Sequence, residues 1–254
     1  HLRKLGHEVT IFEAGPVAGG MMNFGIPAYR MPRNIRQAEI KRIENFGVKI
    51  VLNYKVQDIL QEKENGGFDA VFVAIGAHLA KKVNIPAQEA SKILDAVSFL
   101  KEADENSDNK PLLGRRVAIY GGGNTAMDAA RTAKRLGADE AMIIYRRDRE
   151  HMPAHEFEAD EASSEGVKIH WLSSIKNMET SSITVEKMQV VDGKAVPTGE
   201  YETLEADSLI LALGQEADTD FLKHIEGITF KEDGTTVEVN PSMMTGYPGI
   251  FAGG

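Results

Sequence analysis

The chain has 254 residues, a formal net charge of -9, 24 glycines and no cysteine. Its 42% hydrophobic and 26% charged residues exclude wholesale disorder, and its length suits two modest lobes or one large α/β domain with a core that needs no staples. Zero cysteine excludes disulfides, thiolate metal sites and cysteine-held iron–sulfur clusters within these residues, and the acidic balance argues against general nucleic-acid binding.

In chain order, Val9–Glu13 (VTIFE) is a β-branched and aromatic run stopped by Ala14-Gly15-Pro16, a strand that ends in a turn. Residues 15–33 are rich in Gly and Pro and read as a long loop. Ile35, Ala38, Ile40, Ile43 and Phe46 fall at helical spacing and predict an amphipathic helix over Asn34–Phe46. Val48–Leu52 reads as a strand and Ala70–Ile75 as a buried one. A short helix from Val97 runs into the polar segment KEADENSD, ending at Asp108, which reads as a linker. The next elements are a strand (RVAIY from Arg116), a glycine turn, a helix (Thr125–Leu136) and a strand (Ala141–Tyr145). That is a βαβ unit and implies a parallel sheet. Residues 166–205 alternate in short segments and predict a small antiparallel excursion. Ser208–Leu213 is a second buried strand, and Ile250–Gly254 (IFAGG) is a strand running into a glycine turn. The most apolar stretches, Ala70–Ala77 and Ser208–Gly214, fall far short of the roughly 20 residues of a spanning helix. With no secretory signal in the first residues either, a cytoplasmic chain is the expectation.

Two pairs of segments echo one another. RKLG (from Arg3) followed by VTIFE parallels KRLG (from Lys134) followed by AMIIYR. DAVFVAIG (from Asp69) parallels DSLILALG (from Asp207), with Asp, Ala and Gly in register. Echoes of this length mean two similar modules, since a solenoid shows a shorter period.

Gly121-Gly122-Gly123-Asn124-Thr125-Ala126 fits G-x-G-x-x-[GA] between a strand and a helix, the setting of a dinucleotide pyrophosphate. Gly121 permits the tight turn, Gly123 lets backbone approach the ligand, and Ala126 lets the helix pack closely. The amides that open the helix face the anion. An NAD site places an acid about 20 residues after the glycines. Here the strand tip reads Tyr145-Arg146-Arg147, with Arg149 close by, and guanidinium groups match a 2′-phosphate. NADP(H) is therefore expected over NAD(H). The first module ends its corresponding strand in Glu13, which suits an unphosphorylated ribose, such as the adenosine of FAD. No G-x-G precedes Glu13, so the sequence is expected to be an internal fragment that starts inside the first helix.

Several motifs together resemble the glutamate synthase small-subunit family. They are Glu13, Gly19-Gly20-Met21, Phe24-Gly25-Ile26-Pro27-Ala28-Tyr29-Arg30-Met31-Pro32, Ala74-Ile75-Gly76-Ala77, the GGGNTAMDAAR turn, YRR-x-R-x-x-MPA over 145–154, and Gly249-Ile250-Phe251-Ala252-Gly253-Gly254. The resemblance covers essentially the whole chain, in order. The flavin subunits of ferredoxin–NADP reductases, the flavin segment of dihydropyrimidine dehydrogenase and, more distantly, adrenodoxin reductase share the pattern. The resemblance implies an α/β chain of two Rossmann-like modules similar to disulfide reductases, with an NADP module inserted in an FAD module. The expected division is 1–110 and 226–254 for FAD and 111–225 for NADP. It implies FAD at Glu13 (ribose), Gly20, Met21, Val56 (adenine pocket), Gly76 and Gly254. It implies NADPH at Gly121, Gly123, Asn124, Thr125 and Ala126, with Arg146 and Arg147 on the 2′-phosphate and Glu158 at the nicotinamide amide. Gly214, the counterpart of Gly76 in the repeat, joins the cofactor-binding set. The family's FAD glycine loop, its acid after the final glycine pair and its cysteine-rich iron–sulfur region do not occur in this span. The implied reaction is hydride transfer from NADPH to flavin, with no general acid or base required. Electrons then pass to iron–sulfur clusters outside this span and on to a partner such as the glutamate synthase large subunit, or another ferredoxin-linked acceptor; the alternatives are a ferredoxin–NADP reductase-type flavin subunit and a non-catalytic dinucleotide-binding module.

Four features are expected to be structural. His151 and His155 are read as a solvated loop or helix start with Pro153 between them, and the acidic run Glu156–Glu161 as a wet helix face. Met21-Met22 and Met243-Met244 are read as packing residues, and Trp171 as core.

Overall fold

A computed structural model describes residues 1–81, 83–87, 92–104 and 110–254. In chain order the first elements are β1 (Thr10–Phe12), α1 (Met21–Phe24), α2 (Arg33–Asn45), β2 (Lys49–Val51), α3 (Ile59–Asn65), β3 (Val71–Val73) and β4 (Leu79–Ala80). Next come β5 (Lys92–Asp95), α4 (Ala96–Glu102), β6 (Arg116–Tyr120), α5 (Asn124–Arg135), β7 (Glu140–Ile144), α6 (Glu156–Ser164) and β8 (Lys168–His170). The last are β9 (Ser173–Met178), β10 (Ser182–Val191), β11 (Lys194–Glu205), β12 (Ser208–Leu211), β13 (Gln215–Glu216) and β14 (Ile250–Ala252). The chain divides into two compact units.

One unit consists of Phe24–Arg30 and Ala80–Gly214. Its sheet runs in the order β5-β12-β6-β7-β8, parallel throughout. Strand alternation sorts the core. Val117 and Ile119 of β6, Ile143 of β7 and Ile210 of β12 face α4, α5 and α6, and pack with Phe99, Met127 and Ala130. Ala118, Met142, Ile144 and Leu209 point to the other face, which β9, β10 and β11 cover with Ile175, Met178, Ile183 and Val185. Of the antiparallel excursion expected over 166–205, residues 173–205 form this three-stranded layer, in the order β11-β10-β9, whereas β8 instead extends the parallel sheet beside β7. Each fully buried aliphatic side chain here contributes roughly 1.5–3 kcal/mol.

The expected boundaries at 110/111 and 225/226 differ from this division. β5 and α4 lie before residue 111, yet β5 pairs with β12 in the same sheet as β6. The loop Phe24–Arg30 also belongs here, although the segments on either side of it do not. The expected linker falls partly on residues 105–109, which lie outside the described residues.

The other unit consists of His1–Asn23, Met31–Leu79 and Gln215–Gly254. β1 pairs in parallel with β2, and β3 with β14. Ile59, Val73, Leu222, Ile225, Ile228 and Ile250 form its core. α2 forms where its periodicity predicts, but most of its apolar positions stay exposed: Ile40 is half-buried, whereas Ile35 is 57% and Phe46 48% exposed. Phe72 of β3 is also 57% exposed, so the strand expected to be buried is covered on one face only. Met22 and Met243 are likewise exposed and do not pack. Trp171 sits between β8 and β9, half-buried, edge-on to Tyr145. Among the described residues no helix is long and apolar enough to cross a membrane.

Candidate dinucleotide site

β6 ends at Tyr120 and the chain turns through three glycines into α5. Gly121 has φ 145°, and a Cβ there would overlap the Ala212 carbonyl oxygen, so the fold itself demands glycine. Gly123 is different. Its φ of -91° suits any residue, and a Cβ would meet no atom within 4 Å. The protein leaves open the space that a side chain would fill, which is what close approach of a pyrophosphate needs. Gly123 caps α5 without a side-chain cap: its carbonyl accepts from the Ala126 amide at 2.9 Å, and the Asn124 and Thr125 amides at the helix start have no capping side chain. Ala126 is fully buried and packs against the sheet as expected. Thr125 is half-buried in the same turn.

The segment leading into α6 is fastened over this turn. The Ala154 amide donates to the Gly122 carbonyl at 3.0 Å, and the His155 amide donates to Asn124 Oδ1 at 3.1 Å. His155 caps α6 and stacks on Phe157. His151 instead pairs through Nδ1 with Asp148 at 2.6 Å. Asn124 thus spends its side-chain carbonyl on the fold, a role its place in the glycine motif does not announce.

The three arginines after β7 have separate fates. Arg146 is exposed. Arg147 is half-buried and donates from Nε to the Tyr145 hydroxyl at 3.1 Å. Arg149 turns to Asp160 at 2.6 Å and is drawn off from the other two.

α5 is buried on two sides. Its alanines meet the sheet, while Asp128, Arg131 and Thr132 lie beneath the loop Phe24–Arg30. Arg30 Nη1 donates to both Asp128 oxygens at 2.7 Å, and its Nη2 donates to Glu158 Oε1. Glu158 is 1% exposed, and its Oε2 lies 3.8 Å from Arg131 Nη1. The contact expected between Glu158 and a nicotinamide amide would require this arrangement to open. Tyr29 lies under Arg135, 3.8 Å from guanidinium to ring centroid, and burial together with Asp128 pushes its phenol up to about 12. Burial likewise raises the Asp128 carboxyl, against the pull of Arg30. Arg135 and Arg131 hold Glu165 down to about 2. Sequence reading missed this network because it joins positions far apart in the chain.

In the other unit, Glu13 Oε1 accepts from the Gly15 amide at 2.7 Å, which folds the carboxylate back over its own turn. Gly19 is packed from inside by the Arg36 stem, whereas a Cβ at Gly20 would meet nothing within 4 Å. Gly76 is open in the same sense, with φ 69°, and Gly254 lies two residues after β14. Met21 begins α1 half-buried, and Val56 packs against the core around Ile59. Gly214, with φ 102°, lies in the first-described unit beside Lys81, whose amide donates to its carbonyl at 3.1 Å.

The sequence matches the family model of pyridine nucleotide-disulphide oxidoreductases over residues 1–254. The chain belongs to that family. It is 40% identical to the NADP(+)-dependent formate dehydrogenase subunit beta of Moorella thermoacetica, over 98% of this chain and 37% of that one. It is 32% identical to a putative glutamate synthase [NADPH] small chain of Cereibacter sphaeroides, over 100% of this chain and 66% of that one. The chain therefore spans only about a third to two thirds of these relatives. Among solved structures it is similar to Mycobacterium tuberculosis FprA in complex with NADPH, with a TM-score of 0.76 and 20% identity over 97% of this chain and 71% of that one. That likeness shows the α/β dinucleotide-binding fold. The resemblance to glutamate synthase small subunits stands, beside a formate dehydrogenase subunit of higher identity. Family and fold together support the expected cofactors, FAD and NADP(H).

Proposed function

We propose that this chain carries the NADPH-to-FAD hydride-transfer part of an oxidoreductase subunit, with electrons handed on to iron–sulfur clusters and a partner. The observation that carries the reading is the conjunction, at the carboxyl ends of neighbouring strands β6 and β7, of an open glycine at a helix start without a side-chain cap and an exposed arginine at the tip of the next strand. The first suits a pyrophosphate and the second a 2′-phosphate.

In this reading the amides at Gly123, Asn124 and Thr125 hold the pyrophosphate, with Gly121 and Ala126 shaping the turn. Arg146 and Arg147 hold the 2′-phosphate. Glu13, Gly20, Met21, Val56, Gly76 and Gly254 hold FAD, and Gly214 borders the nucleotide. FAD, when bound, supplies a two-electron acceptor that can release electrons singly. The chain's own work is to bind and orient, and none of its side chains moves a proton.

A glutamate synthase large subunit is the first partner to test. A ferredoxin-linked or other iron–sulfur acceptor is the second reading, since the relative of higher identity is a formate dehydrogenase subunit and not a glutamate synthase chain. Titration calorimetry with NADPH and NADH tests the nucleotide assignment. The expected result is NADPH binding tighter by roughly tenfold or more, as for one charge-assisted phosphate contact. Equal affinities would contradict it.

A further inference from the structure

The Tyr145 hydroxyl is the centre of the arginine turn. Tyr145 follows β7 directly and is 6% exposed. Its hydroxyl donates to the His151 carbonyl at 2.6 Å, which closes the turn over residues 146–150. With its one proton committed there, the oxygen presents lone pairs to Arg147, whose Nε donates to it at 3.1 Å. The Arg147 guanidinium carbon sits 5.9 Å from the Tyr145 ring centroid. The backbone of the turn is pinned as well: the Leu172 amide donates to the Arg147 carbonyl at 3.1 Å, and the Ser173 amide to the Tyr145 carbonyl at 2.9 Å.

The ring has a second neighbour. It fills the space that a Gly122 side chain would occupy, and Trp171 meets it edge-on at 6.3 Å. One side chain therefore lies against the glycine turn with its ring and holds an arginine of the next strand's tip with its hydroxyl. Arg147 spends Nε on this contact and keeps its two terminal nitrogens, the pair that grips a phosphate from one side.

We propose that Tyr145 is a specificity-determining positioning residue: its hydroxyl aims Arg147 at the 2′-phosphate of the dinucleotide, while its ring supports the pyrophosphate turn. This rests on the NADP(H) reading above. The two parts of the side chain have separable effects. Removing the hydroxyl weakens recognition of the 2′-phosphate only, and removing the ring weakens both subsites.

The test measures binding of 2′,5′-ADP and 5′-ADP to the full chain and to Tyr145→Phe, with Arg147→Ala and the double variant completing a cycle. Tyr145→Phe is expected to weaken 2′,5′-ADP by roughly fivefold to tenfold, the size of one charge-assisted hydrogen bond, and to leave 5′-ADP within about twofold. In the double variant, the phenylalanine is expected to add nothing to the loss from Arg147→Ala. An unchanged 2′,5′-ADP affinity, an equal loss for both ligands, or additive losses in the cycle would each overturn the proposal. If the unaltered chain does not distinguish the two ligands, the NADP(H) reading itself fails, and that outcome is separate from the other three.

Discussion

Two glycines two positions apart do different work, and substitution separates them. Gly121→Ala forces a Cβ into the Ala212 carbonyl at a φ of 145°, so the cost falls on folding. Thermal or urea unfolding should show a loss of at least about 1–3 kcal/mol. Gly123→Ala keeps an ordinary φ and enters open space, so its stability cost should be only that of alanine at an N-cap, about 1 kcal/mol or less. Its cost should fall on NADPH binding, by roughly tenfold or more, because the methyl occupies the place of the pyrophosphate. A Gly123→Ala chain that binds NADPH normally would remove the pyrophosphate from this turn. The glycine motif was legible in the sequence because strand, turn and helix are contiguous. The division of labour inside it was not, since the Ala212 carbonyl that crowds Gly121 comes from a distant strand end.

At the scale of elements, the loop Phe24–Arg30 is a strap held by charge. Arg30 bridges Asp128 of α5 and Glu158 of α6, and both carboxylates are buried. Arg30→Ala leaves two buried acids without their shared cation and should cost roughly 3–5 kcal/mol. Adding Asp128→Asn and Glu158→Gln to that variant should recover part of the loss in urea unfolding. No recovery would mean that the strap is held by packing alone.

Glu165 gives the pH signature of the same face. Its folded carboxyl is held at about 2 against an ordinary 4.5, so its stabilisation is present above the ordinary value and disappears as pH falls through about 2. Glu165→Gln should therefore be less stable than the parent at neutral pH, with the gap closing across that window in acid. A gap that does not change with pH would show that Arg131 and Arg135 contribute no charge pairing there. β6, α5 and β7 were legible to within about a residue, because each carries a complete period of its own. The strap was not, because a pair separated by 98 positions leaves no local pattern.

At the scale of the molecule, the two echoed segments end in glycines of like conformation, Gly76 and Gly214, both at positive φ. Sequence order alone gave no sign that β5 and α4 join the second sheet, since adjacency to β12 is a matter of pairing and not of composition. The exposed apolar face of α2 was equally hidden, because periodicity reports which side of a helix is apolar and says nothing of what lies opposite. The step proposed for this chain is the hydride transfer itself, and it has a direct optical readout. The purified chain, loaded with FAD and freed of excess, is mixed with NADPH or NADH without oxygen while the flavin absorbance is followed. The account predicts that NADPH bleaches the flavin band at lower concentration than NADH does. A flavin band that neither nucleotide bleaches, or that both bleach alike, would contradict it.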